Sequence, residues 1–194
     1  MAEHKECLIC KSQNLKILLG YENAFLCKCK KCGFTFSKKI PSSEELSNFY
    51  TGYGQYEYVS SITISRYNDL IDQFEGYRET NNILDIGSGT GVFLEEAKKK
   101  GWNVYGTEYG TDKIKIGENK GINMELGVFD PNNYKVKFDV ITSFEVIEHI
   151  NNPQEEIRNV SSALRTGGII YLTTPNFNSL SRRFLKEKWQ QIFY

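Results

Sequence analysis

Ile83-Leu84-Asp85-Ile86-Gly87-Ser88-Gly89-Thr90-Gly91, continuing into Val92-Phe93-Leu94-Glu95-Glu96-Ala97-Lys98-Lys99-Lys100-Gly101, decides how this chain folds. The run from Ile83 to Ile86 has the hydrophobicity of a strand buried on both faces of a parallel sheet. Glycines on alternate positions, Gly87, Gly89 and Gly91, then make a turn in which side chains would obstruct the approach of backbone to a ligand. Beyond the turn, Val92, Phe93 and Ala97 recur at helical spacing, and Gly101 stands where a helix C-cap belongs. Strand, glycine turn and helix form the βα unit that cradles phosphates or nucleosides in doubly wound folds.

The glycine register narrows the ligand. A dinucleotide fingerprint reads G-x-G-x-x-G/A, whereas here Val92 occupies the place of the third small residue. Asp85, two positions before the first glycine, is a poor neighbour for a pyrophosphate and a good one for a cationic or hydroxylic ligand. The pattern D-x-G-x-G-x-G resembles motif I of the class I S-adenosylmethionine-dependent methyltransferases.

The following residues extend the same plan. Asn103 to Thr107 reads as a second strand ending at Glu108, an acid about 20 residues past the glycine turn and placed to accept hydrogen bonds from both ribose hydroxyls. NAD enzymes share that feature, so Glu108 points to an adenosine ligand without choosing between the two. Thr111 to Lys120 is a crossover helix, and a third strand lies near Ile122 to Leu126. Phe138 to Ser143 is strand four. Asn152 as N-cap, Pro153 at N1 and Glu155 at N3 start the next helix. That helix is expected to end at Arg165-Thr166-Gly167-Gly168, with strand five over Ile169 to Thr173.

The segment FDVITSFEVIEHINNP, with LRTGGIIYLTTPN after it, strongly resembles motifs post-II and III of the small-molecule and lipid class of these methyltransferases. The likeness covers about residues 82–177. It implies an α/β, Rossmann-like, doubly wound and mostly parallel sheet, and S-adenosylmethionine as cofactor. Asp85 with Gly87, Ser88, Gly89 and Gly91 would hold the methionine part, Glu108 the ribose, and Val128, Phe129 and Asp130 the adenine. Tyr109 would lie against the adenine face, and Phe144 would line the methionine end. His149 follows the carboxyl end of a parallel strand, where ligands bind in such sheets. A neutral imidazole there takes a proton from a substrate hydroxyl or amine; alternatively it bonds only local backbone.

Ahead of this domain stand Cys7-Leu8-Ile9-Cys10 and Cys27-Lys28-Cys29-Lys30-Lys31-Cys32-Gly33. Two C-x-x-C knuckles separated by a hairpin-length insert have the spacing of a zinc ribbon. Cys7, Cys10, Cys29 and Cys32 are the expected ligands of a structural zinc, and Cys27 is the spare. Ser42 and Glu45 are placed as a capping box opening a helix with Leu46, Phe49 and Tyr50 on its buried face. A tyrosine-rich segment, Tyr50 to Tyr58, is read as amphipathic filler or as a lid. Ile64, Tyr67, Leu70, Ile71 and Phe74 then make one face of a helix over Ile62 to Tyr77. The expected division is a ribbon over 1–40, a helical linker or lid over 41–81 and a cofactor-binding domain over 82–194. Ribbon, linker and tyrosine segment also resemble a subset of the family associated with sugar or natural-product methylation.

Composition sets the outer limits. The chain has 194 residues, 24 basic and 24 acidic, so no global charge draws it to nucleic acid or to an anionic membrane. No apolar run approaches the ~18 residues of a membrane span, and the N-terminus lacks a signal-peptide core. Five cysteines, all before residue 33, argue against a secreted disulfide framework and for a cytoplasmic protein. The reading is therefore methyl transfer to a small-molecule acceptor such as a sugar, a nucleotide-sugar or a natural product. The rivals are an RNA methyltransferase using the Lys-rich ribbon, a non-catalytic cofactor-binding fragment, and an NAD-dependent oxidoreductase. Five of the family's seven strands are legible, which suggests a C-terminally truncated chain with an uncovered edge at strand five, open to self-association. Trp189, Phe193 and Tyr194 are then expected to be left exposed.

Overall fold

A computed structural model of the chain describes residues 2–42, 45, 59–185 and 188–189. The tyrosine segment, Leu46, Phe49, Phe193 and Tyr194 lie outside the described residues. Ten strands and five α-helices of the described residues make the fold. The N-terminal part has β1 (Ala2–Glu3), β2 (Leu15–Ile17), β3 (Leu26–Cys29), β4 (Thr35–Ser37) and β5 (Lys39–Ile40). β2, β3 and β4 form a three-stranded antiparallel sheet, and β1 pairs with β5. Helix α1 (Ser61–Phe74) follows, then β6 (Asn82–Ile86), α2 (Val92–Lys99), β7 (Asn103–Glu108) and α3 (Thr111–Asn119). The chain continues through β8 (Asn123–Leu126), β9 (Phe138–Phe144), α4 (Pro153–Ala163) and β10 (Leu164–Thr173) to α5 (Leu180–Leu185).

The five later strands form one sheet in the order β10-β9-β6-β7-β8, with every pair parallel. The chain starts at β6, winds outward through β7 and β8, then crosses back to β9. The strand order therefore reverses between β6 and β9, and ligands in such sheets bind at the carboxyl ends of the strands beside that reversal. All five residues of β6 are buried, as its continuous hydrophobicity requires. Alternate side chains serve opposite faces. Ile83 and Val140 join Ile71, Phe74, Phe93 and Leu94 in one core, while Leu84 and Ile141 join Phe129, Phe138 and Val160 in the other.

Local signals behave as their chemistry predicts. Ser60 caps α1 by accepting from the Thr63 N–H (3.1 Å), and Asn152 caps α4 with Pro153 at N1. The Ser42–Glu45 box is reciprocal: the Ser42 N–H donates to the Glu45 carboxylate at 2.8 Å, and the Glu45 N–H donates to Ser42 Oγ at 3.1 Å. Ile71 and Phe74 of α1 are buried, and Tyr67 and Leu70 pack beside them against the sheet core.

Two expectations are corrected. The helix before strand five stops at Ala163 rather than at Arg165 to Gly168, and the chain is already extended at Leu164, which pairs with Phe138. Arg165 is the cause. Its Nε donates to the fully buried Asp139 at 2.6 Å, and the same guanidinium donates to the carbonyls of Tyr77 and Thr166, which draws it across the sheet end. The register slips between Leu164 and Ile169, and Gly168 lies so close to the carbonyls of Phe138 and Asp139 that a Cβ would meet them at 2.9 and 3.0 Å. Trp189 is also not left exposed. It is 9% accessible and lies edge-on to Phe177 at 6.5 Å, with Tyr21 of the N-terminal part against the same Phe177 at 6.0 Å.

Candidate functional site

The glycine turn is shaped by its surroundings as much as by its open side. Gly87, Gly89 and Gly91 have φ of 72°, 56° and 74°, a region that L side chains rarely adopt. A Cβ on Gly87 would stand 2.6 Å from Val146, and one on Gly91 would stand 2.4 Å from Ile122. Ser88 is tied to β7, its N–H donating to the Thr107 carbonyl at 2.9 Å and its hydroxyl to the same oxygen at 3.4 Å. The turn is thus pinned to the second strand, and its remaining contacts with a ligand are through backbone.

Glu108 ends β7 with its carboxylate folded back over this turn. Oε2 accepts from the Gly89 N–H at 3.0 Å, while Oε1 accepts from Tyr109 and Gly110 N–H at 2.8 and 3.0 Å. An ionised carboxylate offers about four acceptor sites. Three are used, so one hydroxyl can be accepted on Oε2 as the chain stands, and a second requires Gly89 to give way. The sequence placed this acid but not its grip on Gly89.

Asp85 sits across the reversal point, opposite Thr142 in the β6–β9 register. It is 3% exposed, and the Thr142 hydroxyl donates to it at 2.7 Å. Burial pushes its carboxyl up to about 7 against the help of that hydroxyl, with the charge of Glu108 pushing the same way. Thr142 was missed from the sequence. Its signal is a hydroxyl inside the otherwise apolar strand Phe138–Phe144, at the level of Asp85.

The remaining candidates divide. Tyr109 and Val128 are exposed at 41% and 59%. Asp130 caps a short turn by accepting from the Asn132 N–H at 2.9 Å. The Phe129 side chain is 3% exposed and packs in the core with Tyr134 at 5.7 Å, so its ring is not offered to a ligand. Phe144 stands at the end of β9 among Phe93 (5.1 Å), Tyr67 (5.8 Å) and Tyr171 (5.9 Å). Glu145, next along, holds the left-handed φ of 54°, a backbone conformation costly for a side-chain-bearing residue. His149 lies on the following turn, Ile147–His149. Burial lowers its pKa, partly offset by Glu145, which favours the neutral imidazole. Partial burial raises Glu148, with Thr174 bonded to it and opposing that shift.

The two cysteine knuckles are built alike. In each, the first cysteine's carbonyl accepts from the residue after the second cysteine, Lys11 at 3.0 Å and Gly33 at 2.9 Å, and both of those residues have positive φ. Each first cysteine's N–H in turn donates five residues ahead, to Ser12 and to Phe34. The Sγ atoms of Cys7, Cys10, Cys29 and Cys32 lie within 4.8 Å of one another, with Cys7–Cys32 and Cys10–Cys29 at 3.5 Å. A tetrahedral ion with Zn–S near 2.3 Å sets sulfur edges of about 3.8 Å, so the four atoms fit it. Backbone donors from Cys32 and Lys31 bring Cys29 down to about 6, whereas Cys32, despite the Phe34 N–H, is pushed up to about 12 by burial and the neighbouring thiols. Cys27 stands apart in the small core with Phe36, where burial raises its thiol to about 11.

A five-stranded parallel sheet with a glycine turn, a strand-end acid folded over it and a buried carboxyl at the reversal point defines a Rossmann-like domain of the doubly wound class. The chain belongs to the methyltransferase-domain family, whose profile matches residues 58–194. The class I resemblance read from residues 82–177 is upheld. Among curated relatives, a protein named ubiquinone biosynthesis O-methyltransferase from Hydrogenovibrio crunogenus is 28% identical over 118 residues, 57% of this chain and 48% of that one. Its namesake from Shewanella halifaxensis is 27% identical over 135 residues, 64% and 56% of the two chains. The chain spans about half the length of the curated relatives it matches. Of solved structures, the plantazolicin methyltransferase BpumL with a desmethyl analogue and SAH superimposes with a TM-score of 0.54 at 22% identity, over 68% of this chain and 57% of that one. CalS10, an amino pentose methyltransferase from Micromonospora echinaspora, gives 0.51 at 21% identity, over 64% and 60%. At those identities the structures establish the shared fold.

Proposed function

We propose that this chain carries out S-adenosylmethionine-dependent methyl transfer to a small-molecule acceptor. The observation that carries the reading is Glu108, held by three backbone N–H groups and aimed at the glycine turn beside the strand-order reversal. The residues fit the cofactor. Glu108 keeps one acceptor site for a ribose hydroxyl, Asp85 offers a buried carboxyl for a cationic amine, and the pinned turn of Gly87, Ser88, Gly89 and Gly91 presents backbone. Tyr109, Val128 and Asp130 stand beyond β7 and β8 as flanks for the adenine, and Phe144 closes the methionine end. When bound, S-adenosylmethionine supplies an activated methyl group on a sulfonium, so the protein's task is chiefly alignment.

In this reading His149, whose burial favours the neutral imidazole, accepts the proton of an acceptor hydroxyl or amine. Cys7, Cys10, Cys29 and Cys32 hold a structural zinc that fixes the N-terminal ribbon, and cysteines clustered at metal-site spacing rather than spread as a disulfide framework support a cytoplasmic location. Among the described residues no helix is long and apolar enough to cross a membrane. Calorimetry with S-adenosylmethionine and with NAD tests the assignment. Binding of the first alone is expected, and Glu108→Ala should weaken it by about 1–3 kcal/mol, the cost of losing charge-assisted hydrogen bonds. Binding of NAD without S-adenosylmethionine would overturn it.

A further inference from the structure

A cavity of about 600 Å³ lies between the N-terminal ribbon and the carboxyl ends of β9 and β10. That volume falls within the ~300–1,000 Å³ of ordinary small-molecule sites. One wall comes from the ribbon, including Leu8, Phe25 and Phe34, and the other from the turns after β9 and β10, including Ile147, Ile150 and Phe177. His149 and Glu148 stand on the second wall. Specific bonds hold the walls together. Asn151 hydrogen-bonds to His4, Gln154 Nε2 donates to the Ile9 carbonyl at 2.9 Å, and Arg182 donates to the Tyr21 hydroxyl at 2.8 Å.

We propose that this cavity is the acceptor pocket, built jointly by ribbon and sheet, and that it takes an uncharged, largely apolar ring compound presenting a hydroxyl or amine to His149. The assignment deepens, and rests on, the methyltransferase reading. Its position follows from the fold, since the loops that follow β9 line both the cofactor side, through Phe144, and the cavity, through Ile147 to Asn151. Its chemistry follows from the lining. Lys39 is the one lysine or arginine among the described lining residues, and it is already paired with Glu45 at 2.7 Å. Glu148 puts a carboxyl, not a cation, on the opposite wall. A nucleotide diphosphate would therefore enter without an unpaired cation to meet it. An apolar ring instead finds Phe34, which is 36% exposed and stacked on Phe36 at 5.8 Å, and Phe177 across the gap.

The test uses the whole chain, fluorescence of the neutral aromatic amine N-phenyl-1-naphthylamine, UDP-glucose as competitor, and calorimetry of S-adenosylhomocysteine in parallel. One saturable site for the probe is expected, undisturbed by a large excess of UDP-glucose. Phe34→Ala on the ribbon and Ile150→Ala on the opposite wall should each weaken the probe by roughly fivefold or more, with S-adenosylhomocysteine affinity held within about twofold. Either variant suffices if the other fails to fold by circular dichroism. Absence of a saturable probe site, displacement by UDP-glucose, or full probe affinity in a folded Phe34→Ala chain overturns the proposal. Probe binding with no S-adenosylhomocysteine binding overturns instead the methyltransferase reading, and with it the pocket's role as acceptor site.

Discussion

At the scale of single residues, Asp85 carries a conflict between stability and binding. Burial, with the charge of Glu108 acting the same way and the Thr142 hydroxyl opposing, holds the carboxyl at about 7. An acid whose folded pKa lies above its unfolded value destabilises the fold once pH exceeds the unfolded value. Here that loss accrues from about pH 4 to about pH 7 and is constant above. A cationic amine arriving beside Asp85 favours the ionised form, so cofactor binding should release protons below about pH 7. Affinity should climb with pH to that point and then level off. Asp85→Asn removes the buried charge while keeping an acceptor for Thr142. At pH 8 it should melt no lower than the unsubstituted chain, yet bind S-adenosylmethionine more weakly by about 1.5–3 kcal/mol. Thermal melts at pH 5 and 8 with calorimetry at each would show this. A variant clearly less stable at pH 8, or one binding with unchanged affinity, would contradict the argument.

At the scale of elements, the Asp139–Arg165 pair fixes how the last strand joins the sheet. Asp139 is fully buried, and burial alone would raise its carboxyl. Arg165 and the backbone N–H groups of Thr80 and Glu79 overcome that and hold it below the usual carboxylate range. The stability this contributes is present above about pH 4 and is lost as pH falls through the depressed folded value. Asp139→Asn takes its buried carboxylate from the Arg165 guanidinium, leaving it the Tyr77 and Thr166 carbonyls and the exposed Glu79, and urea unfolding should show a loss of about 3 kcal/mol that shrinks toward pH 3. An Asn variant within ~1 kcal/mol of the parent would deny the pair this role. The same pair explains what sequence could and could not reveal. Strand β6, the glycine turn and the caps at Ser42, Asn152 and Pro153 depend on near neighbours, so their residue types announce them. Arg165 looks like the end of a helix because its partner lies 26 positions back, and nothing local marks an arginine that will leave a helix to reach a buried acid. The burial of the Phe129 side chain is hidden from the sequence for the same reason: only packing tells which residue after β8 turns inward. Thr142 and the Glu108–Gly89 bond likewise join residues 57 and 19 apart.

At the scale of the whole molecule, the ribbon and the sheet have separate sources of stability and one shared surface. The sheet has two apolar cores. The ribbon has a small one, Cys7, Cys27, Cys29 and Phe36 with a few flanking residues, too little to order forty residues unaided. The proposed zinc at the four thiols would supply what is lacking, because a site of this kind does not preform in an unfolded chain and its binding energy becomes folding energy. Metal analysis of the purified chain should therefore give one zinc. Cys29→Ser should release it, whereas Cys27→Ser should keep it, because the Cys27 sulfur lies outside the four-sulfur cluster. Chelation should then loosen the ribbon without melting the sheet. In hydrogen exchange, amides of β2, β3 and β4 should lose protection while those of β6 and β9 retain theirs. Cofactor affinity should change little, because Asp85, the glycine turn and Glu108 belong to the sheet. Binding in the cavity should fall steeply, since one of its two walls would have dissolved. If chelation leaves β2 to β4 protected, or unfolds β6 and β9 in the same step, zinc does not hold the ribbon as a separately stabilised wall.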